Sequence, residues 1–143
     1  MCSAKVLFIT GTDTDVGKTV VACGLLNALN QAGFTTAALK PVAAGAERIG
    51  GTLINSDAQH LQQCVSVSLP YEVVNPYVFP DAVAPHIAAK NRGQVLTVAK
   101  LKEASQAALR ANANYLVVEG AGGWLVPLNE QETLADFAAA ITA

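Results

Sequence analysis

Three lysine- and acid-bearing stretches could do chemistry together, and the first is Gly11-Thr12-Asp13-Thr14-Asp15-Val16-Gly17-Lys18-Thr19. The run Lys5-Val6-Leu7-Phe8-Ile9 before it reads as a buried strand, and the residues after it suit a helix. A strand delivering a glycine-containing loop to a helix N-terminus is the setting in which backbone N–H groups and the helix dipole bind phosphate. There Lys18 reaches the β- and γ-phosphates and the Thr19 hydroxyl ligates Mg²⁺. The usual pattern has glycine where this chain has Thr12, since five residues, not four, separate Gly11 from Gly17.

The second stretch is Tyr115-Leu116-Val117-Val118-Glu119, an apolar strand ending in an acid and followed by Gly120, Gly122 and Gly123. An acid at a strand end beside a phosphate loop holds Mg²⁺ directly or through water, or it merely terminates the strand. The glycines favour the metal reading, because they let backbone approach a phosphate or substrate. Trp124 after them reads as a packing residue. Lys40 ends the strand after the first helix, so it either neutralises charge on a transferring phosphoryl group or lies exposed. Asp57 offers a further Mg²⁺ ligand. Asn, Ser and Asp before a helix are usual N-caps, however, so position alone makes Asp57 a cap.

These residues need a frame. Residues 17–32 read as a helix closed by Gly33, with Val21, Leu25, Leu26 and Leu29 facing a sheet, and 35–39 as a second strand. Strand, helix and strand make a right-handed parallel unit, and open α/β sheets bind ligands at the carboxyl ends of such strands. Residues 43–51 read as a loop, and 69–93, with Pro70, Pro76, Pro80 and Pro85, as irregular. One helix over 97–112 turns Val98, Leu101, Ala104, Ala108 and Leu109 inward, and another runs from 134 to the end. The fold class is α/β, a doubly wound, mostly parallel sheet of phosphate-loop NTPase type. Residues 1–143 form one domain, incomplete on its C-terminal side, because about three strands fall short of the usual five or more.

Composition narrows the function. The chain is 52% hydrophobic and 14% charged, against about 45–50% and 25% in typical domains. Its net charge of −2 excludes a nucleic-acid footprint. No segment reaches the length of a membrane span, and no signal peptide precedes the first strand. Cys2, Cys23 and Cys64 read as reduced thiols of a cytoplasmic protein. His60 and His86 lack partners at zinc-ligand spacing and read as ordinary surface or loop residues.

Residues 11–19, with Lys40-Pro41-Val42-Ala43, Asn55-Ser56-Asp57-Ala58 and Val118-Glu119-Gly120-Ala121-Gly122-Gly123-Trp124, closely resemble the dethiobiotin synthetase family. Val74-Asn75-Pro76-Tyr77 and Ala84-Pro85-His86 carry the likeness through the middle of the chain. The resemblance implies an ATP- and Mg²⁺-dependent ligase that closes the ureido ring of dethiobiotin from 7,8-diaminopelargonate and CO₂, through a phosphorylated carbamate. It implies a homodimer at full length. It assigns ATP to Asp15, Val16, Gly17, Lys18, Thr19, Val20, Asp57, Glu119, Gly120, Ala121 and Gly122. Thr19, Asp57 and Glu119 become the Mg²⁺ set, which lifts Asp57 out of the cap-only reading. Lys40 and Lys18 become catalytic, and Thr14, Lys40, Ala44 and Gly123 face the substrate. Ala44 stands where the family commonly has a serine, and Asp15 where many members have glutamate.

Two other readings remain. One is a partition-type switch ATPase, although Asp13 occupies the place of that group's second lysine. The other is an amidotransfer-type synthetase of cobalamin biosynthesis.

Overall fold

The computed structural model describes residues 3–143, so the thiol reading of Cys2 lies outside the described residues. Strand β1 (Lys5–Ile9) leads through the glycine loop into helix α1 (Lys18–Gln31), followed by β2 (Thr36–Leu39) and the short β3 (Val42–Ala43). A small hairpin, β4 (Glu47–Ile49) and β5 (Thr52–Ile54), comes next, and then α2 (Ser56–Cys64) and α3 (Tyr71–Val74). β6 (Tyr77–Val78), α4 (Pro85–Asn91), α5 (Val98–Ala104), α6 (Gln106–Leu109), β7 (Tyr115–Glu119) and α7 (Leu134–Thr142) complete the order.

The main sheet has the order β1-β7-β2, and both pairings are parallel. The late strand β7 therefore enters between the first two. Its register sets Ile9 opposite Glu119 and Leu39 opposite Val118. The residues that follow β1, β2 and β7 emerge side by side at one sheet edge.

Both faces of the sheet are covered, and the period-two alternation of strands assigns side chains to each. Ala37, Leu39, Leu116 and Val118 join one core with Leu101, Leu134 and Phe137, while Val6 and Phe8 pack against it. Ala38 and Val117 turn the other way and meet Ala22, Leu26 and Leu61. Burial on both faces explains the near-continuous apolar run of β7. β1 lies at the edge of this sheet among the described residues.

Several sequence expectations shift. In α1 the buried positions are Lys18, Ala22 and Leu26, and Val21 is 59% exposed. The inward stripe is displaced because Lys18 itself takes the first buried place. The helix expected over 97–112 breaks at Ser105, which is fully buried and donates its hydroxyl to the Leu101 carbonyl at 2.6 Å. Such a back-bond competes with the helical ladder and bends the chain. Residues 43–51 do not form a plain loop. Gly50 and Gly51 both hold positive φ, at 57° and 84°, the conformation that lets two strands reverse in a tight hairpin. The proline-rich stretch is likewise structured, with α3, β6 and α4 inside it. Pro85 opens α4 at the first turn, where no N–H is required.

Candidate functional site

Gly17 precedes α1 with φ 106°, and no side chain caps the helix. The uncapped first-turn N–H groups leave donors ready for an anion. Asp15, with φ 58°, is a non-glycine residue in the left-handed region, which Asp tolerates better than most. Loop residues alternating between right- and left-handed conformations aim successive N–H groups inward, as an anion nest does. Lys18 is buried and donates from Nζ to the Asp13 carbonyl at 2.6 Å. Its charge is thereby folded over the loop.

Behind the loop lies a buried charge cluster. Lys40 Nζ donates to Glu119 Oε1 at 3.3 Å, to Asp57 Oδ2 at 3.2 Å and to the Gly120 carbonyl at 3.2 Å. Three N–H donors thus meet three acceptors. Lys40 and Glu119 are 3% and 1% exposed, so the ion pair stands in a medium where an unpaired charge would be costly. The Thr19 hydroxyl donates to the same Glu119 Oε1 at 2.8 Å. The phosphate-loop helix, the Lys40 end of the second strand and the central strand meet at the Glu119 carboxylate, and α2 joins them through Lys40.

Asp57 arrives there because it is not the cap. Asn55 is the N-cap of α2, and its Oδ1 accepts from the Ala58 N–H at 3.0 Å. That frees the Asp57 carboxylate, in the first turn, to face Lys40.

A second network holds the scaffold. Tyr71 accepts from the Asn55 N–H at 2.7 Å and donates to Asn75 Oδ1 at 2.9 Å, while Asn75 Nδ2 donates to the Lys40 carbonyl at 2.8 Å. The Lys40 N–H donates to the Val74 carbonyl at 2.7 Å. The lysine backbone is therefore clamped from both sides, and the same tyrosine fixes the start of α2. The sequence reading cited Asn75 as part of a family motif without giving it a role, and it passed over Tyr71. Asn75→Ala removes buried hydrogen bonds to Tyr71 and to the Lys40 carbonyl, and leaves that carbonyl without its donor. It lowers stability by about 1–3 kcal/mol, seen as a lower urea midpoint at unchanged slope.

Burial raises the Tyr71 phenol above its ordinary 10.0, partly offset by the Asn55 N–H. Between that value and the folded one, the native state keeps a proton that the unfolded chain has lost. The Tyr71 contribution is complete below pH 10 and falls as pH rises above it. Urea titrations below and above pH 10 show this decline for the parent and a shallower one for Tyr71→Phe.

A cleft of about 1160 Å³ opens over the cluster. Asp15, Gly17, Lys18, Thr19, Val20, Asp57, Glu119, Ala121 and Gly122 line it, as do Thr14, Lys40, Ala44 and Gly123. Val16 and Gly120 stand off its wall; Val16 is 51% exposed, and Gly120 offers its carbonyl to Lys40. A Cβ on Gly123 would stand 3.1 Å from the Thr12 carbonyl oxygen, so this glycine permits a close contact with the phosphate loop. Trp124 packs edge-on against Phe8 with ring centroids 6.1 Å apart, yet stays 46% exposed. Cys23, Cys64 and His60 also line the cleft, and spacing alone had marked none of them.

The donor set fits a small hard cation. Glu119 Oε2 is buried without a hydrogen-bond partner, which is rare for a carboxylate oxygen unless another ligand completes it. Thr19 and Asp57 add oxygen at the same place. Among the described residues no group of three His, Cys, Asp or Glu could cage a metal. Mg²⁺ does not need such a cage, because it takes one or two carboxylates and completes its shell with water and phosphate. No helix is long and apolar enough to cross a membrane among the described residues.

The chain is similar to known proteins over most of its length. A Pseudomonas aeruginosa (strain UCBPP-PA14) protein named ATP-dependent dethiobiotin synthetase BioD is 50% identical over 131 residues, covering 92% of this chain and 58% of its own length. Its namesake in Cellvibrio japonicus is 51% identical over 136 residues, covering 95% and 59%. ATP-dependent dethiobiotin synthetase BioD 1 of Salmonella typhi is 45% identical over 133 residues, covering 93% and 58%. The chain thus spans somewhat more than half the length of these curated relatives. A family model described as an AAA domain matches residues 5–143. By that match, and by a phosphate loop set between parallel strands, the chain belongs to the AAA domain family.

Proposed function

We propose that this chain carries the phosphoryl-transfer site of an ATP- and Mg²⁺-dependent cyclo-ligase that forms dethiobiotin from 7,8-diaminopelargonate and CO₂. The observation that carries the reading is the Lys40 ammonium, held among Glu119, Asp57 and the Gly120 carbonyl beside the phosphate loop. The names of the relatives, which give ATP dependence and dethiobiotin synthesis, support the same reaction class and product.

The ATP triphosphate lies on the Asp15–Val20 segment, with the α1 N-terminus and Lys18 taking its charge. Thr19, Asp57 and Glu119 would hold Mg²⁺, which would supply positive charge against the phosphates of ATP. Thr14, Ala44 and Gly123 face the diamine. One of its amines captures CO₂ as a carbamate, whose oxygen attacks the terminal phosphorus and releases ADP. The second amine then attacks the activated carbonyl and expels phosphate, closing the ring. Lys40 stabilises the carbamate and the transferring group, and reaches them by exchanging one of its carboxylate partners. Such chemistry asks the protein for position and charge, so no acid–base dyad is required. The proposal extends to a cytoplasmic enzyme that is a homodimer at full length.

The test supplies the full-length gene product with diaminopelargonate, bicarbonate, Mg²⁺ and ATP, and follows dethiobiotin by mass spectrometry. Dethiobiotin forming in step with ADP is the expected result. ATP hydrolysed without dethiobiotin, and unchanged by the diamine, overturns the assignment.

A further inference from the structure

Cys23 lies one turn beyond Thr19 on α1, and Cys64 is the last residue of α2. Both thiols line the cleft, and both pack against the Ala22, Leu26, Leu61 and Val117 cluster where the two helices meet. Both are free and half-buried. Burial and then the neighbouring Cys64 sulfur push the Cys23 thiol up to about 12, with Glu119 and Asp57 adding to it. Two cysteines from different helices thus share one apolar cluster and one cleft wall.

We infer that Cys23 and Cys64 form a reversible redox modification site, whose disulfide ties α1 to α2 on the wall of the nucleotide cleft. The ligand class is a small-molecule disulfide such as glutathione disulfide. The Cys64 thiolate attacks one of its sulfurs; the S–S bond breaks, and one glutathione leaves as a thiolate. The Cys23 sulfur then gives up its proton and attacks the Cys64 sulfur of the mixed disulfide, releasing the second glutathione. The protein loses two electrons and two thiol protons; the reagent gains both as two thiols. Cys64 attacks first because burial holds the proton on Cys23. The tie would join the helix that carries Thr19 to the helix that carries Asp57. This inference stands whether or not the proposed ligase reaction does.

The test uses the chain with Cys2→Ser, so that only the pair remains, incubated with graded glutathione disulfide and digested without reduction. The expected result is a peptide from α1 linked to one from α2, released by dithiothreitol. In Cys23→Ser, glutathione accumulates on Cys64. In Cys64→Ser, it reaches Cys23 about tenfold more slowly, because the burial that holds the proton on Cys23 remains. If both thiols stay alkylatable and no linked peptide appears at any ratio, the site does not exist. Glutathione reaching Cys23 as fast as Cys64 overturns the order of attack.

Discussion

Lys40→Ala in the full-length protein lowers turnover by about 10³-fold or more while leaving the affinity for Mg·ATP within a few fold. The magnitude is that of removing a cation which stabilises a transferring phosphoryl group, about 10³–10⁵. Lys40 is no ligand of the resting triphosphate in this reading, since its three donors are engaged by Glu119, Asp57 and Gly120. Its loss is therefore felt in turnover more than in binding. Single-turnover ADP release and nucleotide titration measure the two effects separately. Undiminished turnover removes Lys40 from the mechanism.

The same substitution strips Glu119, 1% exposed, of its counter-charge. Breaking a buried pair from one side destabilises by about 3–5 kcal/mol. Lys40→Met combined with Glu119→Gln removes both charges, so the double variant is more stable than Lys40→Met alone. Urea denaturation of the chain reads this difference directly. Additive losses from the two single variants would mean that the pair is not coupled.

Glu119→Gln is the second large effect. Its Oε1 accepts from Thr19 and Lys40 together, and its Oε2 is buried without a partner. An amide at that place supplies a single oxygen, and its NH₂ group must face either Lys40 and Thr19 or the open position. The full-length variant needs at least about tenfold more Mg²⁺ for half-maximal activity, the lower end of what losing a ligand's support costs a metal site. Turnover at saturating Mg²⁺ also falls, because Thr19 and Lys40 lose their common anchor. A Mg²⁺ titration of initial rates checks it, and an unshifted midpoint excludes Glu119 from the cation site.

Much of this was legible along the chain. An apolar run, a glycine loop and a Gly-Lys-Thr start announce a strand, a phosphate loop and a helix, because local spacing encodes strand and helix alternation. The strand ends at Lys40 and Glu119 were equally plain. Strand residues buried on both faces read as unbroken apolar runs, so the first charged residue marks where the sheet opens to the cleft.

Pairwise geometry was not legible. That β7 enters between β1 and β2, and so brings Glu119 against Lys40, depends on contacts separated by 79 residues. The role of Asp57 turned on which of three cap-competent neighbours took the cap. Asn55 did so, and only tertiary packing against Tyr71 fixed it there. The break at Ser105 and the placing of Cys23 and Cys64 on one apolar cluster likewise arose from burial and from helix placement. Residue types and spacing determined the chemistry available to this protein. Tertiary structure decided which groups share one desolvated volume, where a charge must find its partner or destabilise the fold.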